Sequence, residues 1–230
     1  MLEAFGLGTL AQSSLLLAGL LVCWVTVPRR LIGILAGFGA GALIAAVSFD
    51  LLAEAEGLAS SELALWMLVG VAVFLGGEFI VERRFGSEGA GGAMGIVVGS
   101  VVDGVPESII FGIQIATDFP VSISFVAAVF VSNIPQAMAP SADLAASGWS
   151  VRRLGTLWLL IVLACGVAAA LGYLAADATS AANGDRMAAL AAGGLLAMLT
   201  NSLMPFAYDR GGALAGAATV VGFSLSVLGT

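Results

Sequence analysis

The chain has 230 residues, of which 60% are hydrophobic and only 10% are charged, and its formal net charge at pH 7 is −7. Soluble domains carry about 25% charged residues, so this composition excludes an ordinary soluble protein and indicates one embedded in the lipid bilayer. The negative net charge argues against a nucleic-acid partner. We expect a single compact domain over residues 1–230, because its 31 glycines let membrane helices approach closely.

Eight apolar stretches follow one another along the chain, each close to the roughly 20 residues that a helix needs to cross a bilayer. They predict an all-α integral membrane protein with eight transmembrane helices. The predicted spans cover about 6–27, 31–54, 62–82, 93–117, 120–142, 153–176, 187–207 and 212–229.

The arginines lie almost entirely on one side of these spans. Of the eight basic residues, only Arg186 lies on the other side, and the chain has no lysine. Because cytoplasmic loops are enriched in positive charge, both termini are predicted to lie outside. The arginine-bearing loops are then cytoplasmic, and we expect the protein in a bacterial cytoplasmic (inner) membrane. The arginines of these loops are Arg29, Arg30, Arg83, Arg84, Arg152, Arg153 and Arg210.

Two short segments place polar residues and a proline inside apolar spans. Asp103–Ser108 reads Asp-Gly-Val-Pro-Glu-Ser in span four, and Ser132–Ala137 reads Ser-Asn-Ile-Pro-Gln-Ala in span five. At about 1.5 Å per residue, Asp103 lies roughly 15–18 Å from the start of its span. By the same count, Asn133 and Asn201 lie about 20 Å from the starts of spans five and seven. Three spans therefore place polar groups at one level, near the middle of the membrane.

Asp103 and Glu107 are four residues apart and share a helix face. A carboxylate at mid-membrane costs at least about 2.5–3.5 kcal/mol, so it ordinarily faces a partner or a water-filled path. A purely structural role is the weaker interpretation of this pair. Three prolines in spans four, five and seven also lack an N–H, which frees a carbonyl oxygen four residues earlier. Such oxygens suit hard or borderline divalent cations. The freed carbonyls belong to Val102, Val131 and Asn201.

Other polar residues have competing interpretations. Asp50 and Glu54 lie toward the outer end of span two, where a solvated helix end is somewhat favoured over a ligand role. Glu78 and Glu82 lie toward the inner end of span three, and we expect them to pair with the two arginines that follow. For three further residues, a role in an interhelical hydrogen bond and a role in the site are equally favoured. These are Gln114, Asn201 and Ser202.

At these motifs the chain resembles the ZIP (Zrt/Irt-like) family of metal transporters. The family's fourth-span pattern, His-Asn-x-Pro-Glu-Gly, is similar to Asp103–Ser108, and its fifth-span pattern, His-Asn/Glu-x-Pro-Glu, is similar to Ser132–Gln136. In span two, Asp50 takes the place of a family histidine, and in span seven Ser202 takes the place of a glutamate. The resemblance implies a ZIP-like bundle with outside termini, proline-kinked helices four and five, and a metal site between them.

The resemblance also carries a set of metal ligands onto this chain. The chain has no histidine, so these ligands supply oxygen alone. Zinc prefers nitrogen and sulfur ligands. A site of carboxylates and amides shifts the preference toward manganese, iron(II), magnesium or calcium. The implied ligands are Asp103, Glu107, Asn133, Gln136, Ser132, Asp50, Asn201 and Ser202.

The residues and the resemblance together predict a secondary transporter rather than an enzyme. Its substrate is a divalent metal ion (manganese, iron(II), zinc, magnesium or calcium), and binding is expected to displace protons from the acidic pair. Two alternatives stay open. One is a ZIP-fold protein that has lost metal transport and acts as a subunit or sensor, and the other is a pathway for protons or monovalent ions. A homodimer is a further open possibility.

Overall fold

The computed structural model describes residues 1–85, 93–117, 121–178 and 184–228. Over these ranges the protein is 89% helical and contains no strand. The helices are numbered α1 to α8 in chain order. Their bounds are α1 Leu2–Leu21, α2 Arg29–Glu54, α3 Ser60–Phe85, α4 Ala93–Ala116, α5 Ile123–Ala146, α6 Val151–Asp177, α7 Gly184–Gly211 and α8 Ala213–Val227.

Six of the described helices are long and apolar enough to cross a membrane, namely α1, α2, α3, α5, α6 and α7. This agrees with the predicted all-α integral membrane protein. Helix α8 is apolar but shorter, with 15 residues. The count of eight membrane spans therefore stays a prediction, although each predicted span coincides with one helix. In α3 the candidate span ends at Ile80, before the arginines.

Two helices contain a wider, π-helical turn. In α2 it covers Val47–Leu51, where the N–H of Leu52 donates to the Val47 carbonyl oxygen. In α7 it covers Leu199–Leu203 and comes directly before the turn that contains Pro205. The prolines of the two motifs lie inside α4 and α5, whose bounds run through them, and the predicted kinks of these helices stay a prediction. Among the described residues, π-helical turns thus occur in spans two and seven, and such turns often accompany functional sites.

The helices pack as two groups. Helices α1, α4, α5 and α6 contact one another. In the second group, α7 contacts each of α2, α3 and α8, and α2 also packs on α8. Glycines allow the close approach within each group. A Cβ on Gly112 of α4 would clash with the backbone of Ala169 in α6, and one on Gly41 of α2 would clash with the backbone of Thr219 in α8. The principal contact between the groups joins α2 and α5, and α4 also meets α7.

Two ion pairs mark the opposite ends of the bundle. Arg29 at the start of α2 bonds to Asp209 at the end of α7, with an N–O distance of 3.0 Å. Arg186 at the start of α7 bonds to Glu62 in α3, at 2.8 Å. We call these the arginine end and the opposite end. Both pairs are solvent-accessible, so each contributes at most about 1 kcal/mol to stability. The orientation of the two ends in a membrane stays a prediction.

Candidate functional site

A cavity of about 200 Å³ lies where α4, α5 and α7 meet. On α4 the lining residues are Asp103 and residues nearer the start of the helix. On α7 the lining residues extend toward the end of the helix, as far as Phe206. Both directions lead to the arginine end, so the cavity lies on that side of Asp103. A larger cavity of about 400 Å³ between α2, α5 and α8 is lined mainly by apolar groups. The smaller cavity is lined by Gly99, Ser100, Asp103, Gln136, Ser202, Leu203 and Phe206.

Asp103 provides the negative charge of this cavity. Its side chain is 4% exposed, and its Oδ2 accepts a hydrogen bond of 2.8 Å from the Ser202 hydroxyl. Ser202 belongs to the π-helical turn of α7. The nearby charge of Glu78 also acts on Asp103. Within the described part of the chain, Asp103 forms no ion pair, so its charge is balanced only by hydrogen bonding.

Gln136 places an unpartnered amide against the same cavity. It is 5% exposed, and neither its Oε1 nor its Nε2 has a hydrogen-bond partner among the described residues. A buried polar group without a partner costs about 1–3 kcal/mol. This amide is therefore available to a ligand in the cavity, next to Asp103.

One helical turn further from the arginine end, Glu107 and Asn133 are joined by Gln12 of α1. All three side chains are fully buried. Gln12 Nε2 donates to Glu107 Oε2 at 3.0 Å and to the Gly104 carbonyl oxygen at 3.3 Å. Gln12 Oε1 in turn accepts from Asn133 Nδ2 at 2.8 Å. Gln12 therefore connects the proline motifs of α4 and α5.

This network leaves one side-chain oxygen of each proline motif without a hydrogen bond from the described residues. Glu107 Oε1 and Asn133 Oδ1 are buried and have no hydrogen-bond partner among the described residues. Gln12 causes this arrangement, because it uses the Asn133 amide nitrogen and the other oxygen of Glu107. The charge of Asp103 also acts on Glu107. Two acids of α4, Asp103 and Glu107, thus lie at the interface with α5. The amides of α5 there, Asn133 and Gln136, have side-chain oxygens without a partner among the described residues.

The chemistry of these donors limits the ions that they suit. Among the described residues, no group of three or more His, Cys, Asp or Glu side chains is placed to hold a metal ion. An ion at the cavity would therefore depend on Asp103 and Glu107 together with amide and hydroxyl oxygens. Such oxygen donors match magnesium, calcium or manganese better than zinc.

Two predicted ligands from spans five and seven lie away from this cluster. Ser132 is fully buried, but its hydroxyl donates to the Val129 carbonyl oxygen at 2.9 Å, and its backbone packs closely on Gly39 of α2. Asn201 is exposed and donates to Glu78 Oε2 at 2.5 Å. Among the described side chains Glu78 thus bonds to Asn201, and its predicted pairing with Arg84 stays a prediction. The guanidinium of Arg83 instead lies over the ring of Phe79, 5.9 Å from its centre. The side chains of Glu82 and Arg84 lie outside the described part.

The acids of span two also lie away from the cavity, at the opposite end of the bundle. Asp50 is in the π-helical turn of α2 and contacts the side chain of Ser122. Glu54 is only 9% exposed, so the expectation of a solvated helix end is wrong for this residue. Its Oε1 accepts from the Thr117 hydroxyl at 3.4 Å.

An apolar layer separates the two polar regions. Phe111 of α4 and Phe125 of α5 are fully buried, with ring centres 4.9 Å apart. Phe111 lies one turn beyond Glu107 and one turn before Gln114 along α4. Phe111, Phe125, Leu43 and Val129 belong to one apolar core cluster. The acidic cluster is therefore closed toward the opposite end, while its cavity lies toward the arginine end.

Sequence reasoning missed Gln12 and this aromatic pair. The available signal for Gln12 was the polar segment Gln-Ser-Ser at the middle of the first helix. Phe111 and Phe125 carried no distinct signal, because aromatic residues are common in membrane helices.

In comparisons with known proteins, no protein-family model and no curated protein matched the chain.

Proposed function

We propose that the protein is a secondary transporter of a divalent metal cation, related to the ZIP family. The observation that carries the proposal is the buried cluster of Asp103, Glu107, Asn133 and Gln136. Its acids form no ion pair within the described residues, and several of its oxygens have no partner there. Buried carboxylates in membrane helices are costly and ordinarily serve a transport pathway or a ligand. A bound cation would balance both acids.

The arrangement of the motifs supports the family relationship. The two proline motifs lie on neighbouring helices and are joined through Gln12. Span seven adds Ser202 to the same cavity, as the resemblance implies. The proposed topology has eight spans, with both termini outside and the arginine end in the cytoplasm of a bacterial inner membrane.

The proposed transport cycle alternates between two states. The cavity on the arginine side and the apolar layer around Phe111 and Phe125 support an inward-facing state. An outward-facing state requires this layer to open while the cavity closes. Movement of the α1, α4, α5 and α6 group against the other four helices would do both, because the site lies at the boundary between the groups.

Uptake into liposomes tests the proposal. Liposomes that contain the purified protein are expected to take up at least one of Mn²⁺, Fe²⁺, Mg²⁺ and Ca²⁺ in a saturable manner, and Zn²⁺ less readily. Oxygen ligands motivate this order. An ion-sensitive dye inside the liposomes reports uptake, and liposomes without protein give the background. Uptake at background for all five ions would exclude divalent-cation transport.

The small number of acids favours one alternative, a ZIP-fold protein that binds a cation as a sensor or subunit without moving it. The two buried acids are fewer than a tight metal site ordinarily uses. For a sensor, a divalent ion would raise the melting temperature of the purified protein while uptake stayed at background. A transporter shows both effects, so the pair of measurements separates the two functions.

A further inference from the structure

We infer that the protein has a second cation-binding site, at the opposite end of the bundle, formed by Glu54, Gln114 and Thr117. The ligand class is a divalent cation that prefers oxygen. The binding site itself is argued from its own residues. Its role as the entry station for ions that pass to Asp103 and Glu107 rests on the proposed function.

Glu54 supplies the charge of this site. It ends α2, yet it is only 9% exposed, and its Oε2 has no hydrogen-bond partner among the described residues. Its Oε1 has only the long bond of 3.4 Å from the Thr117 hydroxyl. Neither oxygen therefore has a short hydrogen bond within the described residues.

Gln114 provides the second, independent observation. It is 1% exposed and lies beside Glu54, from the facing side of α4. Neither its Oε1 nor its Nε2 reaches hydrogen-bond geometry with any described residue. The Gln114 amide is close enough to the Glu54 carboxylate to interact with it, but the two groups lack well-formed hydrogen-bond geometry. An ion between the two oxygens would satisfy both groups.

The surroundings of Glu54 add negative charge. Asp50 lies one helical turn earlier in α2, and its Oδ2 is buried without a partner in the described part of the chain. The charge of Asp185, at the start of α7, also acts on Glu54. Asp185 approaches the chain at Gly57 so closely that a Cβ there would clash with its carboxylate. Three neighbouring acids make the surroundings attractive to a cation, although Arg186 also lies at this end, where it pairs with Glu62.

The second site is separate from the buried cluster. Gln114 lies seven residues beyond Glu107 on α4, which is about 10 Å along the helix axis. The fully buried Phe111 lies between them and packs on Phe125. One ion cannot contact both sites at this separation, so two ions are expected per chain.

Counting bound Mn²⁺ by electron paramagnetic resonance tests the inference. In the protein with Asp103→Asn and Glu107→Gln, we expect one bound ion per chain. Adding Glu54→Gln to that protein should remove it, and adding Gln114→Leu should weaken its binding at least tenfold. Adding Glu56→Gln instead serves as the matched control, because Glu56 is an exposed acid two residues further on. That control should retain the ion.

The same counts separate the two proposals. If the buried cluster binds no ion, the unaltered protein holds one Mn²⁺ and Glu54→Gln alone holds none. If the second site is wrong, the protein with Asp103→Asn and Glu107→Gln holds none, while Glu54→Gln alone keeps one. Retention of the ion after Glu54→Gln in the doubly substituted protein would also overturn the inference.

Discussion

The combined substitution Asp103→Asn with Glu107→Gln is expected to reduce divalent-cation uptake by at least about a hundredfold, to the level of protein-free liposomes. Each replacement keeps the shape of its side chain and removes one negative charge. A unit charge 4 Å from a unit positive charge contributes about 4 kcal/mol at an effective dielectric constant near 20. A hundredfold change needs only about 2.8 kcal/mol, so the loss of both charges is more than sufficient.

The same substitution is expected to keep or raise thermal stability. The carbonyl oxygens of the two new amide side chains can still accept the hydrogen bonds now given by Ser202 and Gln12. Removing two buried, unpaired charges also removes their desolvation cost. Asp143→Asn is the matched control, since Asp143 is an exposed acid on α5, and uptake should be unchanged. Normal uptake by the double variant would refute the assigned site, and so would an equal loss in the control.

Replacing Gln12 by leucine is the second substitution with a large expected effect. Leucine has a similar size but gives no hydrogen bond, so Glu107 Oε2 and Asn133 Nδ2 lose their partner. Each unsatisfied buried group costs about 1–3 kcal/mol, and a charged group costs more. Loss of a partner that orients a metal ligand typically weakens binding about 10–100-fold. We therefore expect a lower melting temperature and a KM for uptake raised by about 10–100-fold.

Ser14→Ala is the matched control for Gln12→Leu. Ser14 is a neighbouring buried residue of α1, but its hydroxyl has no partner among the described residues. Its removal should leave KM unchanged and slightly raise stability. A bound cation should also restore part of the stability of Gln12→Leu, provided that the ion orders Glu107 and Asn133 directly. If Gln12→Leu keeps the KM of the unaltered protein, Gln12 does not position the ligands.

The helices and the two central acids could be predicted from sequence, because both depend on the free-energy cost of placing polar groups in a bilayer. An apolar stretch of about 20 residues has few alternatives to a membrane helix. A carboxylate at mid-membrane has few alternatives to a functional role. Asp103 was identified on this ground, and the structure places it at a cavity together with Gln136 and Ser202.

Rotation about the helix axis could not be predicted in the same way. Counting residues gives depth, but each residue also turns by about 100° around the helix. Asn201 and Ser202 have nearly the same depth, yet Ser202 faces Asp103 and Asn201 faces Glu78. Ser132 and Asn133 diverge similarly, toward α2 and toward Gln12. Packing decides which of two adjacent residues faces the site.

The role of Gln12 could not be predicted because it depends on two distant segments. Its partners lie 92 to 121 residues away in the chain. A single glutamine in a membrane helix most often forms an ordinary interhelical hydrogen bond. Only the packing of α1 against both proline motifs gives this residue its importance.

The central claim is that a divalent cation binds between the acids and amides of α4 and α5. Anomalous X-ray diffraction from crystals soaked in Mn²⁺ tests it most directly. We expect an anomalous peak within about 2.0–2.6 Å of a carboxylate oxygen of Asp103 or Glu107, a typical distance for hard cations. The peak should be lost in crystals of the protein with Asp103→Asn and Glu107→Gln. A peak that persists there, or no peak near either acid in the unaltered protein, would contradict the claim.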